Sequence, residues 1–285
     1  MKRTIKIGGS FEGVIATGPF QNMRPGFFVE ETLEGDLTDE QIFQRQKELQ
    51  ERSYRNFQEA EHNAAVQRIN NERKDFRWRK LPNGKLVPSV TSILSFDKDF
   101  DIPPHELSQY ASWGTVNHAR INHYWKTGVW EKPQNLEGVY ADFVIVKRGS
   151  LMLDMDCIDF PAYLKKYPFV CKGYGIEVYN EEFEYAGELD YWGIPEESKE
   201  CKAVPTLADA KRTPDKEHFL QTAAYAKAKP LPGIEWPDKF EQMMLLPLQN
   251  KTQQGFSKPL VSGEVDRAFE MFLSKRKKFR QRYGV

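Results

Sequence analysis

Hydrophobic and polar residues alternate in short runs at the start of the chain, and glycine or proline interrupts each run. Within residues 2–31 the interruptions fall at Gly8-Gly9, Gly13, Gly18-Pro19 and Pro25-Gly26. Alternation of this kind is typical of strands, and glycine and proline are common turn residues. The pattern therefore predicts two or three small strands joined by tight turns.

A long polar stretch follows, and it carries the signals of a single helix. Thr38 is a suitable N-cap, and Gln41 occupies the position that a capping box needs. Because neither glycine nor proline occurs again before Pro82, we predict one helix over residues 39–74. Its hydrophobic residues are too sparse for a coiled-coil seam. The helix is therefore either largely solvated or a lid, arm or partner-binding element.

The rest of the chain changes repeatedly between helical and strand-like periodicity. A turn near residues 82–84 precedes a segment, residues 88–94, that we expect to begin a compact core. Strands are predicted as a pair within 175–193 that turns at 180–182, then at Thr206–Lys211 and at 243–248. Helices are predicted near 113–125, 158–166, 214–229 and 263–283.

The composition excludes several classes of protein. Of the 285 residues, 40% are hydrophobic and 29% are charged, as in a folded chain and unlike a disordered or collagen-like one. Lys and Arg total 41, as do Asp and Glu, so a polyanionic partner would need a local patch. No apolar run approaches the roughly 20 residues of a membrane-spanning helix, and no secretory signal is evident. We expect a cytoplasmic protein, in the host cytoplasm if it is viral, without a membrane partner.

The cysteines do not indicate a metal centre or a disulfide framework. Cys157, Cys171 and Cys201 are widely spaced and include no C-x-x-C pair. This pattern favours neither disulfides nor zinc nor an iron–sulfur cluster. We expect buried or bystander thiols.

The most informative stretch carries acidic residues on three predicted strands. Glu177 lies on one strand, Asp190 on its hairpin partner, and Asp209 and Lys211 on the next. Residues two apart on a strand share a face, so adjacent strands could gather these four side chains. Taken singly, each is equally explained as a solvated strand residue.

Converging carboxylates need a cation, because burial and mutual repulsion oppose their ionisation. All-oxygen ligation favours Mg²⁺ or Mn²⁺, and a neighbouring lysine can serve an attacking water. Gln221 and Tyr225, four apart on a predicted helix, can face the same site. His118 lies on another helix, whereas His218 could at most line the site.

These residues form an ordered set of motifs. The set is His118, Glu177, Gly187-x-x-Asp190, Asp209-x-Lys211 and Gln221-x-x-x-Tyr225. It resembles the RecB-type branch of the PD-(D/E)xK nuclease superfamily. The segment 88–94, with Gly114-x-x-x-His118 and Thr127-Gly128, is similar to phage exonucleases and the mitochondrial genome maintenance exonuclease of that branch. The resemblance covers residues 88–229, about half of the chain.

The resemblance implies an α/β fold with a restriction-endonuclease-like core. In such a core, helices flank a mixed central sheet. Here an N-terminal β-hairpin and the long helix would precede it. We therefore expect an accessory unit at residues 1–80 and a nuclease core at 81–285.

The resemblance also implies a metal site. Asp190 and Asp209 would be the central ligands of two Mg²⁺ or Mn²⁺ ions, and the backbone carbonyl of Ala210 would reach the metal. Glu177 would take the family's first acidic position as a catalytic and ligating residue. His118 would be an additional ligand or a neighbour of the site.

The remaining motif residues would support catalysis. Lys211 would serve the attacking water, while Gln221 and Tyr225 would position the DNA backbone or brace the site. No cysteine quartet for a cluster is present.

The expected function is that of a divalent-metal-dependent DNA exonuclease in phage or bacterial recombination, repair or replication. Its substrate would be single-stranded DNA or an ended duplex, with a recombination or replication protein as a possible partner of the N-terminal unit. Two alternatives stay open: a catalytically idle nucleic-acid-binding subunit with the same fold, and a carboxylate-pair hydrolase acting on sugars, which would need neither lysine nor metal.

Overall fold

The computed structural model describes most of the chain. The described residues are 4–18, 21–35, 37–98, 104–131, 147–148, 151–152, 159–248 and 256–285. Cys157 lies outside them. The chain divides into two compact units. The first comprises Met1–Val87 with Lys278–Val285, and the second is Pro88–Lys277.

Antiparallel hairpins open the first unit. Strand β1 (Thr4–Glu12) pairs along its length with β4 (Gly26–Glu34), and β2 (Ile15–Gly18) pairs with β3 (Gln21–Met23). The sequence predicted two or three strands in residues 2–31, whereas the described residues of this stretch contribute to four, because two of them, β2 and β3, are short strands close to the predicted turns.

The long helix α1 (Asp39–Glu72) packs against this hairpin. Its capping box is present as predicted: Thr38 Oγ1 accepts from the Gln41 N–H, and the Gln41 side chain accepts from the Thr38 N–H. The predicted helix is confirmed to within two residues at its C-terminal end. Buried Ser53 donates to the Gly9 carbonyl at 2.6 Å, which ties α1 to β1. Two short strands, β5 (Trp78–Lys80) and β6 (Leu86–Pro88), follow.

A five-stranded mixed sheet forms the centre of the second unit. Its order is β13-β12-β11-β10-β9, with β11 and β12 parallel and the other neighbours antiparallel. The strands are β9 (Phe169–Asn180), β10 (Tyr185–Pro195), β11 (Thr206–Lys211), β12 (Gln242–Pro247) and β13 (Leu260–Ser262). A strand pair, β7 (Lys147–Arg148) with β8 (Leu151–Met152), lies apart from this sheet.

Helices α2 to α6 complete the architecture. They are α2 (Val90–Ser95), α3 (Pro104–Thr127), α4 (Phe160–Lys166), α5 (His218–Ala226) and α6 (Val265–Tyr283). The expected α/β class, with an N-terminal hairpin and a long helix, is therefore confirmed. Among the described residues, no helix is long and apolar enough to cross a membrane.

The core of the second unit lies on the two parallel strands. All of β12 is buried, as is β11 up to Ala210. Strands covered on both faces need continuous apolar runs, and the run at 243–246 supplies one. Helix α5 is shorter than predicted, because the Asp215 carboxylate accepts from the Glu217 and His218 N–H groups and holds a turn just before it.

Candidate functional site

The two central aspartates stand on adjacent strands where the hydrogen-bonded ladder opens. The antiparallel pairing of β10 with β11 includes Tyr191 opposite Ala208 and continues through Trp192 and Gly193. Asp190 and Asp209 come just beyond the Tyr191 pair. Their side chains therefore meet at the end of the ladder, where neighbouring elements can reach them.

Asp209 is an almost fully buried carboxylate, with 1% of its side chain exposed. Lys211 Nζ lies 2.8 Å from its Oδ2. Neither oxygen accepts a hydrogen bond of good geometry from the described residues. Burial raises the pKa of Asp209, but the charge of Lys211, hydrogen bonding with Asp190 and Lys211 and the charge of His118 together outweigh burial and leave the pKa below its ordinary value. Asp209 is thus ionised and incompletely compensated.

Asp190 behaves differently from its neighbour. Its Oδ2 accepts from the Ala210 N–H at 2.7 Å, and 14% of its side chain is exposed. Burial raises the pKa of Asp190 to about 7, opposed by the charge of His118 and reinforced by that of Asp209. Near neutral pH, Asp190 therefore retains a proton much of the time, whereas Asp209 does not.

His118 connects helix α3 to both strands. Its Nε2 lies 2.9 Å from the Ala210 carbonyl oxygen. Because a carbonyl only accepts, Nε2 carries a hydrogen. Its Nδ1 lies 3.3 Å from Asp190 Oδ1, a contact that is favourable when one of the two atoms holds a proton. His118 thus fixes the backbone of Ala210 and the carboxyl of Asp190 together.

Lys211 is positioned by a chain of side chains from α5. Gln221 Oε1 accepts from Lys211 Nζ at 3.1 Å, and Gln221 Nε2 donates to the Tyr225 hydroxyl at 3.0 Å. The Tyr225 ring packs against β10 at Gly187, where a Cβ would come within 2.4 Å of Tyr225 Cε1. The glycine is required by this close approach. Burial lowers the pKa of Lys211, but Asp209 and Asp190 outweigh burial and raise it overall, so the lysine is charged.

Glu177 lies on the edge strand β9, and the contacts above do not include it. It is exposed, it pairs across the ladder with Glu188, and its Oε2 accepts from the Tyr179 hydroxyl at 2.8 Å. The other predicted residues, Asp190, Asp209, Ala210, Lys211, His118, Gln221 and Tyr225, are brought together by the contacts above.

Two neighbours of the site were not among the predicted residues. A side chain at Gly175 would meet Asn122 Nδ2 at 3.2 Å and Glu188 Oε1 at 4.0 Å. Asn122 lies four residues after His118 in α3, so both face the same side of the helix. That spacing was the available signal for Asn122. Glu188 carried no comparable signal, because its approach to α3 depends on the strand pairing.

The side chains and the backbone carbonyl of the cluster suit a bound hard divalent cation better than burial with no ion bound. In the described part of the chain, no group of three or more His, Cys, Asp or Glu side chains is already arranged to hold a metal ion. The donor set is instead two carboxylates and a backbone carbonyl, which are oxygen ligands of the kind that Mg²⁺ and Mn²⁺ prefer. Both oxygens of buried Asp209 lack a hydrogen bond of good geometry from the described residues, although Lys211 Nζ lies 2.8 Å from one of them, and this incomplete compensation is the observation that favours a further positive charge.

Comparison with known proteins adds no assignment. No family model matches the chain, and no curated protein matches it.

Proposed function

We propose that this protein is a divalent-metal-dependent deoxyribonuclease with a restriction-endonuclease-like core, acting as an exonuclease. The observation that carries the proposal is the buried carboxylate of Asp209 beside Asp190, because its ion pair with Lys211 leaves both oxygens without a hydrogen bond of good geometry from the described residues. Carboxylates repel phosphate, so a purely binding surface has no use for them there. A site that neutralises them with a cation can hydrolyse a phosphodiester.

Mg²⁺ or Mn²⁺ would be held by Asp190, Asp209 and the Ala210 carbonyl, with two ions expected by resemblance. When bound, such an ion supplies Lewis-acid charge and lowers the pKa of a coordinated water. His118 holds the Ala210 carbonyl and Asp190 in place through its two ring nitrogens. Glu177 belongs to the proposal only by its place in the family's motif.

Lys211 is the residue that would interact with the attacking water and the phosphate. Its ammonium lies between Asp209 Oδ2 and Gln221 Oε1, at 2.8 and 3.1 Å. In this position it can orient a water and offset charge that develops on the phosphate oxygens. Gln221 and Tyr225 keep the lysine aimed.

The substrate class proposed is DNA, single-stranded or an ended duplex, in phage or bacterial recombination, repair or replication. A recombination or replication protein that binds the first unit is a partner to be sought. The competing assignment, an idle nucleic-acid-binding subunit, predicts DNA binding without cleavage.

The test is a time course on DNA labelled at either end, single-stranded and duplex, beside a closed circle. Each substrate is incubated with Mg²⁺, Mn²⁺ or EDTA. We expect products only with a divalent ion and only from ended DNA, and their loss with Asp209→Asn. The exposed Asp238→Asn variant is the matched control. Binding without products would indicate the idle subunit, and cleavage in EDTA would remove the metal assignment.

A further inference from the structure

A cavity of about 250 Å³ adjoins the candidate site within the second unit. It lies between α2, the start of α5 and one residue of α6, Lys275. Gln221, which accepts the Lys211 hydrogen bond, is one of its lining residues. The cavity is therefore linked through Gln221 to the lysine that we assign to water and phosphate.

The charges around this cavity cancel. Lys98 and Lys275 line it, and so do Asp215 and Glu217. Lys98 is paired with Glu217 at 3.1 Å, and Lys275 is paired with Asp97 at 3.2 Å. A phosphate subsite needs uncompensated positive charge or several free donors. The cavity instead suits an uncharged ligand that both donates and accepts hydrogen bonds.

His218 supplies a neutral polar group to the same wall. Its Nδ1 accepts from the Asp215 N–H at 3.0 Å, which leaves Nε2 as the donor. Burial and the nearby charge of Lys211 lower the pKa of His218, so the ring is uncharged near neutral pH. The hydroxyls of Thr91 and Ser95 add groups that donate or accept.

Two leucines complete the lining. Leu94 of α2 and Leu220 of α5 contribute apolar walls. Apolar walls with a polar edge match a nucleobase, whose faces are apolar and whose edge carries both donors and acceptors.

We infer that this cavity, named here the base pocket, takes the base of a nucleotide next to the phosphate that is cleaved. The inference rests on the proposed function and deepens it. The site would grip the unpaired base of one nucleotide rather than track only the backbone. Such a base must leave its stack, which is easiest in single strands and at frayed ends.

A binding experiment tests the base pocket without any cleavage. Single-stranded oligonucleotides carry 2-aminopurine at one position each, and fluorescence is measured with the full-length protein in EDTA. We expect one position to brighten, since a base removed from its neighbours and held between leucines is no longer quenched. Ser95→Leu should abolish the brightening by filling the pocket. Ser274→Leu, at an exposed helical position outside the pocket, is the matched control.

A cleavage experiment places the same base relative to the bond. With a divalent ion, one abasic residue is moved along the strand. We expect an abasic residue at the pocket position to slow cleavage of the adjoining bond about 10-fold in the native protein. The same change should have no effect in Ser95→Leu, whose melting temperature reports that it is folded.

The outcomes separate the two proposals. Brightening at one position without cleavage would support a base-binding pocket and contradict the proposed nuclease activity. Cleavage that is indifferent to an abasic residue at every position, or an abasic effect that persists in Ser95→Leu, would overturn the base pocket alone. Sensitivity to a terminal phosphate but not to the base would show that the cavity takes phosphate. Absence of binding to any oligonucleotide would overturn both.

Discussion

At the scale of single residues, the candidate site is defined by two carboxylates with opposite protonation behaviour. The pKa of Asp209 is lowered because Lys211, Asp190 and His118 together outweigh its burial, whereas burial raises the pKa of Asp190 to about 7. Adjacent carboxylates of this kind act as a unit with one exchangeable proton. A proton and a divalent cation are then alternative ways to neutralise the same pair.

The pKa of Asp190 predicts how metal-free stability depends on pH. Its folded-state pKa of about 7 exceeds the ordinary 3.8, so the folded state holds a proton that the unfolded state has lost. Stability contributed by Asp190 is therefore lost as pH rises from about 4 to 7, by up to about 1.4 kcal/mol per pH unit. Urea unfolding in EDTA should show this loss in the native chain and a flatter profile in Asp190→Asn. Parallel profiles for the two proteins would contradict the assignment.

Lys211 provides a second prediction, which separates chemistry from binding. Lys211→Ala should lower the single-turnover cleavage rate by about 10² or more, since the lost charge acts mainly on the transition state. DNA affinity, measured by fluorescence anisotropy, should fall little. Lys216→Ala, at an exposed position in the same turn region, is the control. A variant that cleaves at the native rate would exclude Lys211 from the chemistry.

The sequence alone predicted Asp190, Asp209 and Lys211 as site residues, because of their spacing on the predicted strands. The hydrogen bond between His118 and the Ala210 carbonyl could not be predicted, because a backbone oxygen has no signature in the sequence and the partners are 92 residues apart. Glu188 was missed for a related reason, since only strand pairing brings it toward Gly175, whereas the spacing of four residues from His118 could have indicated Asn122.

At the scale of elements, the sequence predicted those that have strong local signals. Helix α1 has a capping box and no internal breaker, and β11 was predicted at its observed bounds, Thr206–Lys211. The three-residue β13 was missed, because so short a strand exists only by pairing with β12. The start of α5 was misplaced because the Asp215 carboxylate accepts from the Glu217 and His218 N–H groups and holds a turn before the helix begins.

The contact between β10 and α5 predicts that Gly187, which does not itself contact Lys211 in the contacts described above, affects the position of the Lys211 side chain. Gly187→Ala should displace the Tyr225 ring and with it Gln221, because the new Cβ would come within 2.4 Å of the ring. We expect a loss of about 1 to 3 kcal/mol in the free energy of unfolding. Cleavage per folded molecule should also fall.

Two variants distinguish the packing of the Tyr225 ring from its effect on the position of Lys211. Gly263→Ala, whose Cβ would lie 3.6 Å from its nearest neighbour, should change neither property. Tyr225→Phe keeps the ring but removes the acceptor of the Gln221 hydrogen bond. It should lower the cleavage rate with little loss of stability. If Gly187→Ala lost stability but cleaved normally once folded, the chain of contacts from Tyr225 to Lys211 would have no role in aiming the lysine.

At the scale of the whole molecule, the chain forms two compact units, and every named residue of the candidate site belongs to the second. The first unit has its own apolar contacts: Phe57 packs with Phe11 and Phe27, and Phe76 packs with Phe279. Helix α1, about 50 Å long at 1.5 Å per residue, packs on the hairpin of this unit. If the protein is the nuclease proposed above, a unit that has its own apolar contacts and contributes none of the named site residues is suited to regulating which DNA is used or to binding a partner.

We therefore predict that Pro88–Lys277 alone retains metal-dependent cleavage and loses the discrimination between ended and closed DNA, or loses processivity. The assay is the end-labelled time course beside a closed circle.

A full-length variant tests the same point if the shortened chain aggregates. Gly9→Ala would place a Cβ 2.4 Å from the Gln50 amide nitrogen and loosen β1 from α1. Gly26→Ala, with open contacts, is its control. If Gly9→Ala destabilises the first unit while substrate preference stays native, that unit serves a partner rather than the choice of DNA.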